Sequence, residues 1–349
     1  QIEESLCEPS PLIPADLEEL PAIDSEPTYA TRIHAARQLE SIDDAGPALT
    51  IVGDTVRGGA RRAELQAKCP FQAFGEFRLQ AVRLESARPG ITPRLRGQLV
   101  HRMFEHLWRE LGSQERLRAL SRMKTELEGR IEAAAAAACA DLAAGAPPRL
   151  IELERSWLVK VAAAVLEKEN ERAPFRVLQL ETTARFTLGE VTLLLKIDRI
   201  DELEAAAGGG EFIIDYKTGR ETAARWFGAR RDLPQLPLYA LSRAAPVAGL
   251  AFARANLRAP GFRGLATNAT AGHGIREPRR PREFQPEAGG FPAILADWRR
   301  WLTGLIGDHL AGVARVDPVS SQTCRECALA ALCRIGADLP ADEESDDGD

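Results

Sequence analysis

The chain has 349 residues, 45% of them apolar, which is enough for one large domain or two ordinary ones around a filled core. Its formal charge is −6, yet eight acidic side chains in residues 1–26 and six in residues 342–349 carry the excess, and residues 27–341 stand at +8. No stretch approaches the roughly 18 consecutive apolar residues that a membrane helix needs, and no secretory leader opens the chain, so a membrane protein is excluded and a cytoplasmic location is expected.

Residues 1–60 are read as a linker or the remnant of a preceding domain, because 1–30 are rich in Pro, Glu and Asp without periodicity. The first residue is Gln1 rather than Met, which fits a piece of a longer polypeptide. Residues 94–111 place Leu95, Leu99, Met103 and Leu107 at helical spacing, 113–143 continue as an Ala-rich helix, and 150–172 form a further helix. The period then changes. Residues 177–188 and 191–200 alternate as strands, with Gly189-Glu190 between them as the tight connection of an antiparallel hairpin. Glu211–Lys217 is a third, short apolar strand, followed by a helix over 232–244 and a strand over 247–256. A Gly-, Pro- and Arg-rich excursion runs to about 290, a closing helix spans 291–311, and 336–349 form an acidic disordered tail. This order specifies an α/β domain over 61–335: a central mixed sheet flanked by helices, with an N-terminal helical insertion.

The chemistry sits at the strand ends. Asp198 lies in LKIDRID, and Asp215 and Lys217 lie in IIDYKTG. Two residues apart on a strand, Asp215 and Lys217 project from one face and can reach one phosphate. Phosphodiester hydrolysis needs such a set, in which carboxylates hold Mg²⁺ or Mn²⁺ and a lysine orients or deprotonates the attacking water.

Upstream stands Gly97-Gln98-Leu99-Val100-His101, and downstream Gln235-Leu236-Pro237-Leu238-Tyr239. With the acidic strand ends, these GxxxH and QxxxY segments resemble the motif series of the RecB-type branch of PD-(D/E)XK nucleases and are similar to AddB-type nuclease domains. The resemblance implies a PD-(D/E)XK core in which His101, Asp198, Asp215 and the Tyr216 carbonyl ligate the metal. It implies further that Lys217 assists water attack and that Gln235 and Tyr239 orient DNA or the lysine. Glu181 is a weaker candidate for a supporting carboxylate; His106 and Asp201 are read as structural.

Six cysteines in a reducing compartment favour metal ligation over disulfides. Cys324, Cys327 and Cys333 form C-x₂-C-x₅-C, and Cys69 stands far upstream in Cys-Pro-Phe. Spacing alone leaves zinc and an iron–sulfur cluster open. The one-plus-three arrangement resembles the AddB-type nucleases and implies a [4Fe–4S] cluster that ties the two ends of the domain together. Cys7 and Cys139 receive no function. The arginines Arg276, Arg279, Arg280 and Arg282 are read as a solvated loop. The functional expectation is a metal-dependent DNA nuclease, an exonuclease on ends or single strands in repair or recombination, with a helicase subunit or domain as partner. A non-catalytic DNA-binding module of the same fold is the competing reading.

Overall fold

The computed structural model describes residues 32, 35–36, 46–49, 55–82, 90–140, 145–205, 208–219, 221–267, 274–276, 290–333 and 335. The chain forms two units, Gln1–Asp43 and Asp44–Asp349. In the first, residues 32, 35 and 36 are helical; the second carries the sheet and the helices around it. The acidic tail at 336–349, Cys7 and most of the Arg276–Arg282 stretch lie outside the described residues. Among the described residues, no helix is long and apolar enough to cross a membrane.

Strand β1 (Thr55–Val56) leads into helices α1 (Gly59–Lys68), α2 (Pro70–Phe77), α3 (Pro93–Leu111), α4 (Gln114–Ser121), α5 (Lys124–Cys139) and α6 (Pro148–Asn170). Strands β2 (Phe175–Leu188), β3 (Val191–Leu203) and β4 (Glu211–Lys217) form the expected meander. Helix α7 (Gln235–Leu241) and strands β5 (Val247–Arg254), β6 (Gly261–Ala266) and β7 (Ile275–Arg276) follow. Helix α8 (Gly290–Leu310) and the short α9 (Ser321–Arg325) and α10 (Ala330–Cys333) close the chain. The sheet is mixed: β3 is antiparallel to β2 and β4, while β4 is parallel to β5.

Alternation along the strands builds two cores. Phe212, Ile214 and Tyr216 of β4 face a core filled by Leu99, Phe104 and Trp108 of α3 with residues of α4, α5 and α6. Ile213 of β4, with Leu250 and Phe252 of β5, faces the second core, built from α7 and from Ile294, Trp298 and Leu302 of α8. The odd-numbered face of β4 therefore runs Ile213, Asp215, Lys217: an apolar start that ends in the charged pair.

The structure departs from the expected elements in three places. Within 1–60, read as a linker or domain remnant, Thr55–Val56 pair with β3, α1 begins at Gly59, and the Gly46 and Leu49 amides donate to the Gly312 and Leu310 carbonyls. The Ala-rich 113–143 is two helices, because Met123 leaves helical geometry (φ −108, ψ 65) so that Leu117 and Leu120 of α4 and Ile131, Ala134 and Ala138 of α5 can all enter one core. Packing overrides a strong propensity there. The excursion after 256 contains β6 and β7: Phe262 and Leu265 enter opposite cores, and a Cβ at Gly264 would lie 2.1 Å from the Leu250 carbonyl oxygen. Glycines that read as loop composition here allow close strand approach.

Candidate active site at the fork of the sheet

Strand β2 covers one edge of β3 along its length, whereas β4 pairs with Arg199–Glu202 and β1 with Thr192 and Leu193. Between these two partners, among the described residues, no strand pairs with the edge of β3. Helix α1 enters here: Gly59, at φ 45, comes so close that a Cβ would lie 2.2 Å from the Leu194 carbonyl oxygen. Beyond Ile214, β4 leaves β3 and pairs only with β5. The Tyr216 amide, freed from the ladder, donates to Asp198 Oδ2 at 2.9 Å. The carboxylate thus takes the acceptor role that a neighbouring strand would have filled.

Asp198 also interrupts the alternation of β3. Leu193, Leu195 and Ile197 enter one core, whereas Arg199 and Asp201 reach the other side. Opposite, Leu180 pairs with Arg199 and Thr182 with Ile197, so Glu181 faces Asp198, and Glu181 holds φ 46. A non-glycine residue in this region costs on the order of 1–3 kcal/mol and persists only where its surroundings enforce it. The distortion turns both carboxylates toward His101. From α3, His101 Nδ1 lies 3.3 Å from Asp198 Oδ2 and 3.8 Å from Glu181 Oε1, and Nε2 donates to the Tyr216 carbonyl at 3.1 Å. Burial opposes charge on the ring, but Asp198, Glu181 and Asp215 outweigh it and push its pKa up to about 10. Among the described residues, His101, Glu181 and Asp198 are the set of His, Cys, Asp and Glu side chains whose ligand atoms all lie within 4.8 Å of one another.

Asp215 is fully buried. Its Oδ1 accepts from Gln235 Nε2 at 2.7 Å, and Lys217 Nζ stands 2.7 Å from Oδ2, though no well-directed hydrogen bond reaches that oxygen. Burial, only partly offset by Lys217, pushes its pKa up to about 7. A buried carboxylate oxygen without a directed donor, beside a histidine and two further carboxylates, is the donor set of a hard divalent cation. Lys217 donates to Gln235 Oε1 at 2.9 Å; burial works against its charge, but Asp215 and Asp198 raise its pKa, so it is an ammonium. Gln235 Nε2 also donates to the Tyr239 hydroxyl at 2.8 Å. The QxxxY pair on α7 is one connected relay from Tyr239 through Gln235 to both Asp215 and Lys217.

Tyr216, between Asp215 and Lys217, is clamped from three sides. Its ring stacks on Phe104 with centroids 4.4 Å apart, its main chain is held by His101 and Asp198, and Arg199 Nη1 donates to its hydroxyl at 3.1 Å. Arg199 belongs to a buried ring of two cations and two anions. It reaches Asp201 at 2.6 Å and Glu169 at 2.6 Å, and Arg172 reaches Glu169 at 2.7 Å and Asp201 at 2.9 Å. All four side chains are at most 1% exposed. Asp201 is structural as expected. Arg199 was missed by sequence reasoning, although an arginine inside an apolar strand beside the key aspartate was a visible signal.

Cys69, Cys324, Cys327 and Cys333 line one cavity of about 20 Å³, together with Phe71, Val316, Pro318 and Ala330. Burial, and after it the neighbouring cysteines, push the Cys324 thiol up, as burial does for Cys69. Their sulfurs are not drawn within ligand distance of one another as the His101 group is. Cys139 is buried in α5, with Ile131 and Ala135 in the first core.

No curated protein matches the chain. The model of the PD-(D/E)XK nuclease superfamily matches residues 60–334, which spans both cores, the fork of the sheet and the three C-terminal cysteines. The chain belongs to the PD-(D/E)XK nuclease superfamily.

Proposed function

We propose that this protein is a divalent-metal-dependent deoxyribonuclease whose catalytic domain spans 61–335 and whose active site is the fork of the sheet. The observation that carries the reading is the convergence, from three separate elements (α3, β3 and β4), of His101, Asp198, Asp215 and Lys217 on one point where the strands part. Chance surface charge does not explain a fully buried Asp215 held by Gln235.

His101, Asp198, Asp215 and the Tyr216 carbonyl would hold Mg²⁺ or Mn²⁺, with Glu181 as an additional carboxylate. When bound, the cation supplies positive charge to a non-bridging phosphate oxygen and acidity to a water molecule. The chain's own residues do the rest. As an ammonium, Lys217 donates to the phosphate or the attacking water and offsets charge growing in the transition state. Gln235 and Tyr239 fix the direction of that donation.

The four cysteines suit a [4Fe–4S] cluster better than zinc. Their joint lining of one apolar cavity supports the reading, and the cluster would join α2 to the C-terminal α9 and α10. DNA ends or single strands in repair or recombination, with a helicase subunit or domain as partner, form the biological setting we favour. The deciding experiment is cleavage of end-labelled linear DNA in Mg²⁺ or Mn²⁺ by anaerobically purified protein beside Asp215→Ala and Lys217→Ala. Cutting by the wild type alone is expected. Equal DNA binding by all three proteins with no cutting would instead favour a silent binding module.

A further inference from the structure

Lys217 also lines a cleft of about 640 Å³. Helix α1 supplies Arg61 and Lys68 to one wall, α2 supplies Gln72, and the loop after the 3₁₀ turn Ala223–Trp226 supplies Arg230. Residues 319–326, the segment that carries Cys324, continue the lining and are joined to α1 by Val319 N–H donating to the Lys68 carbonyl at 2.8 Å and to α2 by Gln72 Nε2 donating to the Thr323 carbonyl at 3.3 Å. A second cleft of about 550 Å³ shares Arg61, Leu65, Gln72 and Glu326 with the first and continues past Arg94 and Cys327, so one groove leads from Lys217 across α1 and α2.

The groove contains carboxylates as well, and the pairing decides which cations are available. Lys68 is held by Glu64 at 2.7 Å, and Arg225 is clamped by Asp232. Arg61 and Arg230 differ. The Arg61 side chain is 51% exposed and makes only long contacts, 3.7 Å to Glu64 and 3.4 Å to Glu76. The Arg230 side chain is 48% exposed; Nη1 donates to both Asp317 carboxylate oxygens at 2.8 and 2.9 Å and Nη2 to the Asp317 carbonyl at 3.0 Å, so it is closely paired, but its partner lies outside the groove lining. Half-exposed pairs of this kind contribute about 0–1 kcal/mol, so a phosphate that accepts both guanidinium edges can displace the partner. Among the described residues that line the two clefts there is no aromatic side chain, and a base has no platform on which to stack.

We propose that this groove seats the sugar-phosphate backbone of the nucleic-acid strand adjoining the scissile phosphate, gripped by Arg61 and Arg230 without readout of its bases. The cysteine-bearing segment 319–326 is then a wall of the substrate path and not only a closure of the fold. The proposal rests on the nuclease reading for the position of the scissile phosphate, but strand binding is measured apart from cleavage.

The test compares wild type, Arg61→Ala, Arg230→Ala, the double variant, and Arg149→Ala as an outer-surface control, using full-length chain. Fluorescence anisotropy of a labelled single-stranded oligonucleotide of about twenty nucleotides gives affinity and its salt dependence. The double variant should bind at least about tenfold more weakly, and each arginine removed should lower the slope against log salt by about 0.7. Arg61→Lys should restore most of the loss in Arg61→Ala, since it restores the charge. Where the wild type cleaves, KM for the long strand should rise in the variants by a larger factor than kcat falls. Oligo-dT and oligo-dA should bind alike. Unchanged affinity and salt slope in the double variant, or no strand binding by the wild type, overturns the groove. Arginine-dependent binding without cleavage upholds the groove and removes the nuclease reading instead.

Discussion

Replacing Asp215 by Asn should stabilise the metal-free protein while abolishing its response to divalent cations. The Asp215 carboxylate is wholly buried, and burial, relieved only in part by Lys217, raises its pKa from 3.8 to about 7. About three pH units at 1.36 kcal/mol each set a ceiling of about 4 kcal/mol on the cost of keeping that group ionised in the fold. Asn retains an oxygen for the Gln235 donor but faces Lys217 with an amide, and losing that pair offsets about half or more of the gain. The expected net gain is about 1–2 kcal/mol at pH 8, which corresponds to roughly 2–3 °C in Tm for a domain of this size. The sign follows from linkage. Above about pH 7 the carboxylate is ionised in both folded and unfolded chains and the full cost is present; as pH falls through 7 the folded protein takes up the proton first, and near pH 4 the advantage of Asn is gone. Thermal unfolding with chelator and with Mn²⁺, for both proteins across this range, measures it. Wild type should gain stability with Mn²⁺ and Asp215→Asn should not. A variant less stable than wild type at pH 8 in chelator would refute the reasoning, because Asp215 would then be a favourable ion-pair member and not a cost held for the cation.

Four further outcomes follow from the same geometry. Cation binding needs neutral His101, whose pKa stands at about 10, so titration calorimetry at pH 8 in buffers of different ionisation enthalpy should show release of about one proton, with affinity falling steeply below pH 7 as Asp215 also takes up a proton. Asp201→Asn breaks the buried ring around Arg199 and should cost about 3–5 kcal/mol in urea unfolding, against little effect from the exposed Arg149→Ala. A Cβ at Gly97 would meet nothing within 4 Å, so Gly97→Leu should fold at least as well by circular dichroism yet cleave DNA at least about tenfold more slowly, because it fills space one turn from His101. Cys324→Ser should yield colourless protein that melts earlier; brown protein with its visible absorption intact would contradict the cluster assignment.

The sequence by itself determined the meander, the flanking helices and the face that ends in Asp215 and Lys217. Strand alternation and the i, i+4 spacing of Gln235 and Tyr239 are local properties, set by backbone geometry alone. It also carried the motif order that resembles the RecB-type nucleases. Other features depended on contacts between residues far apart in the chain. Glu181 read only as a weaker, supporting carboxylate, and it is the irregular pairing opposite Asp198, with its left-handed φ, that turns its side chain to His101. Arg199 gained its role from Glu169 and Asp201 closing a neutral ring around it, since a buried cation is tolerable only when such partners converge. The glycine-rich 261–266 became a strand because Gly264 lets backbones approach and two cores accept Phe262 and Leu265. The fork itself is the tertiary decision: where β4 leaves β3, an orphaned amide needs an acceptor, and Asp198 supplies it at the point where the other candidate ligands meet.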